Sequence, residues 1–247
     1  MKPTEVLKNY FGYDTFRPGQ EEIIEAILNG RDAMAIMPTG AGKSVCYQVP
    51  ALLLPGITLV VSPLISLMQD QVKALNDVGV HAAFINSALT EGQIRKALSL
   101  AAQGVYKIIY VAPERLESWE FLDFATHTEI SMVTVDEAHC ISQWGQDFRP
   151  SYRKIPDFLA KLPRRPVIGA FTATATEAVR RDISAQLGLR TPCTVVTGFD
   201  RPNLYFEVQS MTAAEKPAAL RALLAERRGK CGIVYCSTRS RVERVEQ

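Results

Sequence analysis

The sequence predicts an α/β fold in which a parallel sheet is covered by helices on both faces. Three observations carry this expectation. Short apolar runs alternate with segments of helical periodicity along most of the chain. The apolar runs are continuous rather than alternating, as in strands buried on both faces. One of them, Ala33 to Met37, breaks at Pro38-Thr39-Gly40-Ala41-Gly42 and resumes as a helix from Lys43, the strand–turn–helix order of a phosphate cradle.

Taken in order, the first 30 residues read as a helix from about Thr4, an aromatic turn, and a second helix from about Pro18 to Leu28. In the turn, the rings of Phe11 and Phe16 staple the two helices together. Gln20 has a carboxamide able to bond adenine N6 and N7 at once, although its residue type alone does not assign that role. After the Gly-rich turn, strands are expected at Ile57 to Val61, Ala82 to Ile85, Lys107 to Val111, Met132 to Val135 and Val167 to Phe171. Helices are expected near 66–78, 91–102, 114–124, 152–162 and 177–187. Beyond residue 200 two further strands, Tyr205 to Val208 and Ile233 to Tyr235, flank one more helix. In such a sheet the chemistry gathers at the carboxyl ends of the strands.

Composition narrows the classes. The chain has 247 residues, 47% hydrophobic and 22% charged, which fits one large α/β domain or one domain with part of another. A net charge of +2 excludes a wholly basic nucleic-acid binder and makes any such contact local. The five cysteines are scattered with no C-x-x-C pair, so reduced thiols are expected and zinc is not. The N-terminus leads into an amphipathic segment with no signal-like core, and no run of 18 apolar residues occurs. The expected location is cytoplasmic, nucleoid-associated if bacterial, without membrane contact.

Two stretches carry chemistry. In the first, Gly40 and Gly42 let backbone N–H groups approach phosphate oxygens, Lys43 reaches the β- and γ-phosphates, and Ser44 offers a hydroxyl to Mg²⁺. Met37 stands where the strict G-x-x-x-x-G-K-[ST] pattern has glycine, so the match is to its second half. In the second, the strand ending at Val135 runs directly into Asp136-Glu137-Ala138-His139. Asp136 is placed to hold Mg²⁺ through water and Glu137 to orient or deprotonate an attacking water. Trp144, Phe148 and Arg149 come next, among polar residues. Two readings of them are open from chemistry alone: a platform for stacking on unpaired bases, or rings tucked into the domain's own surface.

The run from Asp136 to Gly145, continuing to Phe148-Arg149-Pro150, resembles the DEAH box and aromatic-rich loop of RecQ-family DNA helicases. The resemblance extends over most of the chain. Phe11-Gly12-Tyr13 with Phe16-Arg17-Pro18-Gly19-Gln20 is similar to that family's adenine-reading motif, and Thr39 to Ser44 to motif I of superfamily-two helicases. Val61 to Gln71 resembles motif Ia, Ala112 to Leu116 motif Ib, and Phe171 to Ala175 motif III. Phe199-Asp200-Arg201-Pro202-Asn203-Leu204 and Val234 to Arg239 resemble the start of a second RecA-like domain and its motif IV.

The resemblance implies an ATP-dependent, Mg²⁺-using 3′-to-5′ helicase on single-stranded and partly duplex DNA, acting in repair and recombination. A DEAD-box-like RNA remodelling ATPase is the alternative. It implies that Tyr13, Arg17 and Gln20 contact adenine, and that Thr39, Gly40, Gly42, Lys43 and Ser44 hold phosphates and metal. His139 would link the ATP site to Trp144, Phe148 and Arg149, and Thr172 and Thr174 would join hydrolysis to DNA engagement. As β-formers at a strand end, the two threonines are equally explained by structure alone. Ser62, Pro63 and Ser66 are placed to hold DNA phosphates, while Arg115 either assists or pairs with Glu117 or Glu120 on the surface. The implied layout is an adenine-recognition segment at 1–30, a first RecA-like domain at 31–198 and the beginning of a second at 199–247. On that layout the chain is expected to be a helicase fragment that binds ATP and DNA weakly, hydrolyses ATP at or near background and does not unwind without the family's further domains.

Overall fold

The computed structural model describes residues 1–145, 147–198 and 204–246. Seven strands form one all-parallel sheet in the order β3-β4-β2-β5-β6-β1-β7. They are β1 (Ala33–Ile36), β2 (Ile57–Val61), β3 (Ala82–Ile85), β4 (Ile108–Val111), β5 (Ile130–Val135), β6 (Val167–Thr172) and β7 (Cys193–Val196).

Successive side chains of a strand point to opposite faces, so a continuous apolar run feeds two cores. Met34, Ile36, Leu59, Val61, Ile109 and Val111 enter one. Ala33, Ala35, Val60, Ile108 and Tyr110 enter the other. The first core is closed by α5 (Glu91–Ala102), α6 (Trp119–His127), α7 (Ile155–Lys161) and α8 (Glu177–Gln186). The second is closed by α2 (Gln20–Leu28), α3 (Lys43–Leu53) and α4 (Ile65–Asp77). Against α2 and α3 packs α1 (Pro3–Phe11), with Val6, Ile24 and Val49 buried and Phe11 and Phe16 beside them, the expected staple.

Strand β6 joins the two stretches that carry chemistry. It lies between β1, which carries the Gly-rich turn, and β5, which carries the acids. Its last residue, Thr172, therefore reaches the point where the two meet.

Several expectations are corrected. The helix expected over 114–124 is broken: Pro113–Arg115 is a 3-10 turn, and α6 begins only at Trp119. There Ser118 donates to the Arg115 carbonyl from its N–H at 3.1 Å and its hydroxyl at 2.9 Å, ending the first turn. The segment 152–162 likewise divides into a 3-10 turn, Pro150–Lys154, and α7, because Pro156 has no N–H to continue the ladder. The edge strand β7 was not expected. It is short, with Thr194 and Val196 turned outward, and carries little apolar signal.

By internal contacts the chain divides into two units, residues 1–199 and 200–247. In the second, helices form at α9 (Lys216–Glu226) and α10 (Arg239–Glu246), but the strands expected at 205–208 and 233–235 do not. Tyr205, Phe206, Ile233 and Tyr235 are each at least 80% exposed. A helix satisfies its backbone locally, whereas a strand needs a neighbour, and among the described residues no segment pairs with either stretch. Phe199 to Asn203, the start of the predicted second-domain motif, lie outside the described residues, as do Gln146 and Gln247. No helix in the described residues is long and apolar enough to cross a membrane.

Candidate nucleotide site and aromatic loop

The Gly-rich turn needs both of its glycines for conformation, with φ of 86° at Gly40 and 83° at Gly42. Space adds to this at Gly42, since a Cβ there would lie 2.5 Å from the Gln20 amide nitrogen and would displace that side chain. Directly after it α3 begins, so the unpaired N–H groups of its first turn face the loop.

Three side chains hold the loop's carbonyls. Lys43 Nζ donates to Met37 at 3.0 Å, and the Arg17 guanidinium donates to Gly40. Gln20 Nε2 donates to both Ala41 and Gly42 at 3.1 Å, while its Oε1 accepts from the Arg17 N–H at 2.9 Å. Gln20 is therefore buried with its amide committed to the phosphate loop. Arg17 also lies 5.9 Å from the centre of the half-exposed Tyr13 ring.

A cleft of about 350 Å³ gathers Tyr13, Arg17, Gln20, Thr39, Gly40, Gly42, Lys43 and Ser44 with Asp136 and Glu137. Every adenine, phosphate, metal and hydrolytic residue singled out in the sequence lines this one cavity. Thr15, Val45 and Leu67 also line it and were not singled out, although Leu67 falls within the stretch that resembles motif Ia.

At the end of β5, Asp136 is 7% exposed. Burial and then the neighbouring Glu137 charge push its carboxyl up to about 6, against the pull of the Glu137 N–H and Lys43. Glu137 takes a left-handed conformation, φ 47° and ψ 46°, rare for a residue with a side chain and a form of strain that clusters at functional sites. Its carboxylate lies 3.3 Å from His139 Nδ1, and the same nitrogen is 2.7 Å from Thr172 Oγ1. Thr172 Oγ1 in turn bonds both the carbonyl and the N–H of Thr174, at 3.2 and 3.4 Å. The buried Tyr152 hydroxyl donates to the Asp136 carbonyl at 2.8 Å; its contribution was invisible in a chain read without tertiary contacts.

The aromatic loop turns tightly over the acids. A Cβ on Gly145 would come within 2.3 Å of the His139 carbonyl, so only glycine closes this turn. Trp144 is 79% exposed and Phe148 is half-buried. Arg149 is held by Asp147 at 2.8 Å and donates to the Pro63 carbonyl at 3.3 Å, tying this loop to the segment after β2. In that segment the three predicted residues part company. Ser66 is exposed and Pro63 half-buried, but Ser62 is 1% exposed with its hydroxyl unpartnered. The expected pairing of Arg115 with Glu117 or Glu120 is corrected: Arg115 donates to the Asn86 carbonyl, and Glu117 pairs with Lys154.

A parallel sheet that brings a Gly-rich turn, a lysine and a buried Asp-Glu pair to adjacent strand ends defines a P-loop nucleotide-binding protein of the RecA-like type. The DEAD/DEAH box helicase family matches residues 17–182, and the chain belongs to that family. It is 47% identical to the ATP-dependent DNA helicase RecQ of Bacillus subtilis over 97% of its own length. It is 44% identical to the Haemophilus influenzae protein of the same name over its whole length. In each case it spans about 40% of the relative. The fold is also that of the DUF1998 helicase MrfA, solved with DNA and AMPPNP, at a TM-score of 0.73 and 17% identity over 99% of this chain and 37% of that one. The RecQ resemblance drawn from the motifs is thus borne out.

Proposed function

We propose that this chain is the ATP-binding, DNA-responsive part of a RecQ-type DNA helicase that hydrolyses ATP to move 3′ to 5′ on single-stranded DNA in repair and recombination. The observation that carries the reading is the shared cleft: Lys43, Ser44, Asp136 and Glu137 line one cavity with Tyr13, Arg17 and Gln20.

Within it Lys43 and the α3 N-terminus hold the triphosphate, and Tyr13, Arg17 and Gln20 meet the base, Gln20 by exchanging its amide bonds to the phosphate-loop carbonyls for bonds to adenine. The donor set fits Mg²⁺, a hard cation that takes a hydroxyl, one carboxylate, phosphate oxygens and water. Ser44 and Asp136 supply the first two, and the carboxyl raised by burial and then by its Glu137 neighbour is a site that gains from a cation. When bound, Mg²⁺ would neutralise charge developing on the phosphates. Glu137, oriented by His139, positions the attacking water. His139 and Thr172 tie that position to the aromatic loop, where Trp144, Phe148 and Arg149 meet unpaired bases, with Pro63 and Ser66 beside them. Residues 1–30 serve the base, 31–198 form the first RecA-like domain and 199–247 begin the second.

The test is nucleotide turnover by the full-length protein, measured with oligothymidine, with a matched RNA and with no nucleic acid. Stimulation by DNA above RNA supports the reading. Stimulation by RNA alone would transfer the site to an RNA remodeller.

A further inference from the structure

The aromatic loop is anchored on α8, outside the phosphate site and outside the motifs. Ser142, at its start, is fully buried. Its hydroxyl donates to Asp182 Oδ2 at 2.6 Å and accepts the Trp144 N–H at 3.2 Å. Its carbonyl accepts the Gly145 N–H at 3.0 Å. Asp182 stands on α8, the helix that comes after Thr172 and Thr174, and its other oxygen accepts from Gln186 at 3.4 Å. A hydroxyl has one hydrogen to donate. With that hydrogen given to a carboxylate, in the shorter and stronger kind of bond, the lone pairs of Ser142 are left for the Trp144 N–H. Asp182 thus fixes the hydroxyl that fixes the backbone of the exposed tryptophan.

We infer that Asp182 is a positioning residue for the aromatic loop: through Ser142 it holds Trp144 in its projecting orientation and joins the loop to α8. This is a second tie between the segment after β6 and the segment after β5, beside the Thr172–His139 bond. What Trp144 then meets rests on the function proposed above, but the positioning itself does not.

The chain has two tryptophans, so Trp119→Phe leaves Trp144 as the only indole reporter. In that background Asp182→Ala and Ser142→Ala are each expected to lower Trp144 anisotropy and raise its quenching by acrylamide. The double variant should show no further loss, because both changes remove the same bond. Asp182→Asn, whose amide oxygen still accepts, should restore most of the signal. Circular-dichroism melts should stay close to the parent's, separating this from general loosening. Unchanged anisotropy in Asp182→Ala would overturn the inference, and if that variant does not fold, unchanged anisotropy in Ser142→Ala does so equally. A second arm titrates oligothymidine. The positioning variants are expected to bind about two- to tenfold more weakly, the scale of one hydrogen bond. A parent whose tryptophan ignores the oligonucleotide would count against the DNA reading while leaving the first arm to decide the positioning.

Discussion

The Lys43 ammonium donates to the Met37 carbonyl at 3.0 Å, closing the phosphate loop on its own backbone. In the proposed site the same ammonium meets the β- and γ-phosphates, so nucleotide binding would exchange one acceptor for another, more strongly charged one. Lys43→Ala should therefore abolish Mg²⁺-nucleotide binding while shifting the melting temperature little. Glu137→Gln should retain binding and, in the full-length protein, stop turnover, because its proposed role is on water rather than on phosphate. Titration with a fluorescent nucleotide separates the two, and equal loss of affinity in both would contradict this division.

Asp136 gives a prediction with the opposite sign to most catalytic substitutions. Its folded carboxyl is raised to about 6 by burial and by Glu137, so folding favours the protonated form. The stability it contributes is complete below the ordinary value of 3.8 and lost as pH rises through about 6. Asp136→Asn stays neutral throughout. Without metal it should be more stable than the parent at pH 8, by about 1–3 kcal/mol, with the gap closing toward pH 5. Urea unfolding at both pH values measures this. The same variant should gain least from added Mg²⁺-nucleotide, since the carboxylate proposed to hold the metal is gone.

Trp144 and Phe148 should behave differently in stability and alike in function. Trp144 is 79% exposed, so Trp144→Ala should leave the melting curve unmoved, whereas Phe148 is half-buried and its loss should lower it. Both substitutions should weaken oligothymidine binding by about 1–3 kcal/mol per lost stack, read by fluorescence anisotropy of a labelled strand. Normal binding in both would make the rings packing groups only.

Much of this was legible because it is local. Ala33 to Met37 announces a buried strand by unbroken apolarity and Met132 to Val135 by apolarity interrupted only at Thr134, and the residues just after each mark where the chain emerges at the sheet's carboxyl edge. The glycines at 40 and 42 signal the turn without any partner. Less legible were features that depend on residues far apart in sequence. Ser142 meets Asp182 across 40 positions, and Asp32 meets Arg165 across 133. No spacing rule joins such pairs until the sheet order is known. The opposite failure occurred at Tyr205 to Val208, where β-prone residues suggested a strand that no neighbour among the described residues completes. Composition at that point described a preference, and pairing decides whether the preference is realised.

The remaining prediction concerns Asp32, at the amino end of β1, opposite the phosphate loop. Its side chain is 1% exposed, a burial that would be costly for an isolated charge. Four donors satisfy it: Arg165 through Nη1 at 3.0 Å and Nη2 at 2.6 Å, the Ile168 N–H at 3.0 Å and the Arg190 N–H at 2.7 Å. Burial pushes the carboxyl up, but Arg165 and the two backbone N–H groups outweigh it and hold the carboxyl below its ordinary value. The single side chain thereby fastens β1 to β6 and to the turn before β7. Asp32→Ala leaves the donors unpaired and should cost about 3–5 kcal/mol, measured by urea unfolding. Because the folded value is lowered, this stabilisation is present above 3.8 and lost as pH falls through the folded value. The parent's advantage over the variant should thus persist from neutral pH down to about pH 4 and shrink below it. Under conditions where the variant stays folded, its affinity for nucleotide should equal the parent's. Four residues of strand, roughly 13 Å, separate Asp32 from the phosphate loop, and none of its four bonds reaches the cleft. A loss of affinity larger than the loss of folded protein would show that the two ends of β1 are coupled after all.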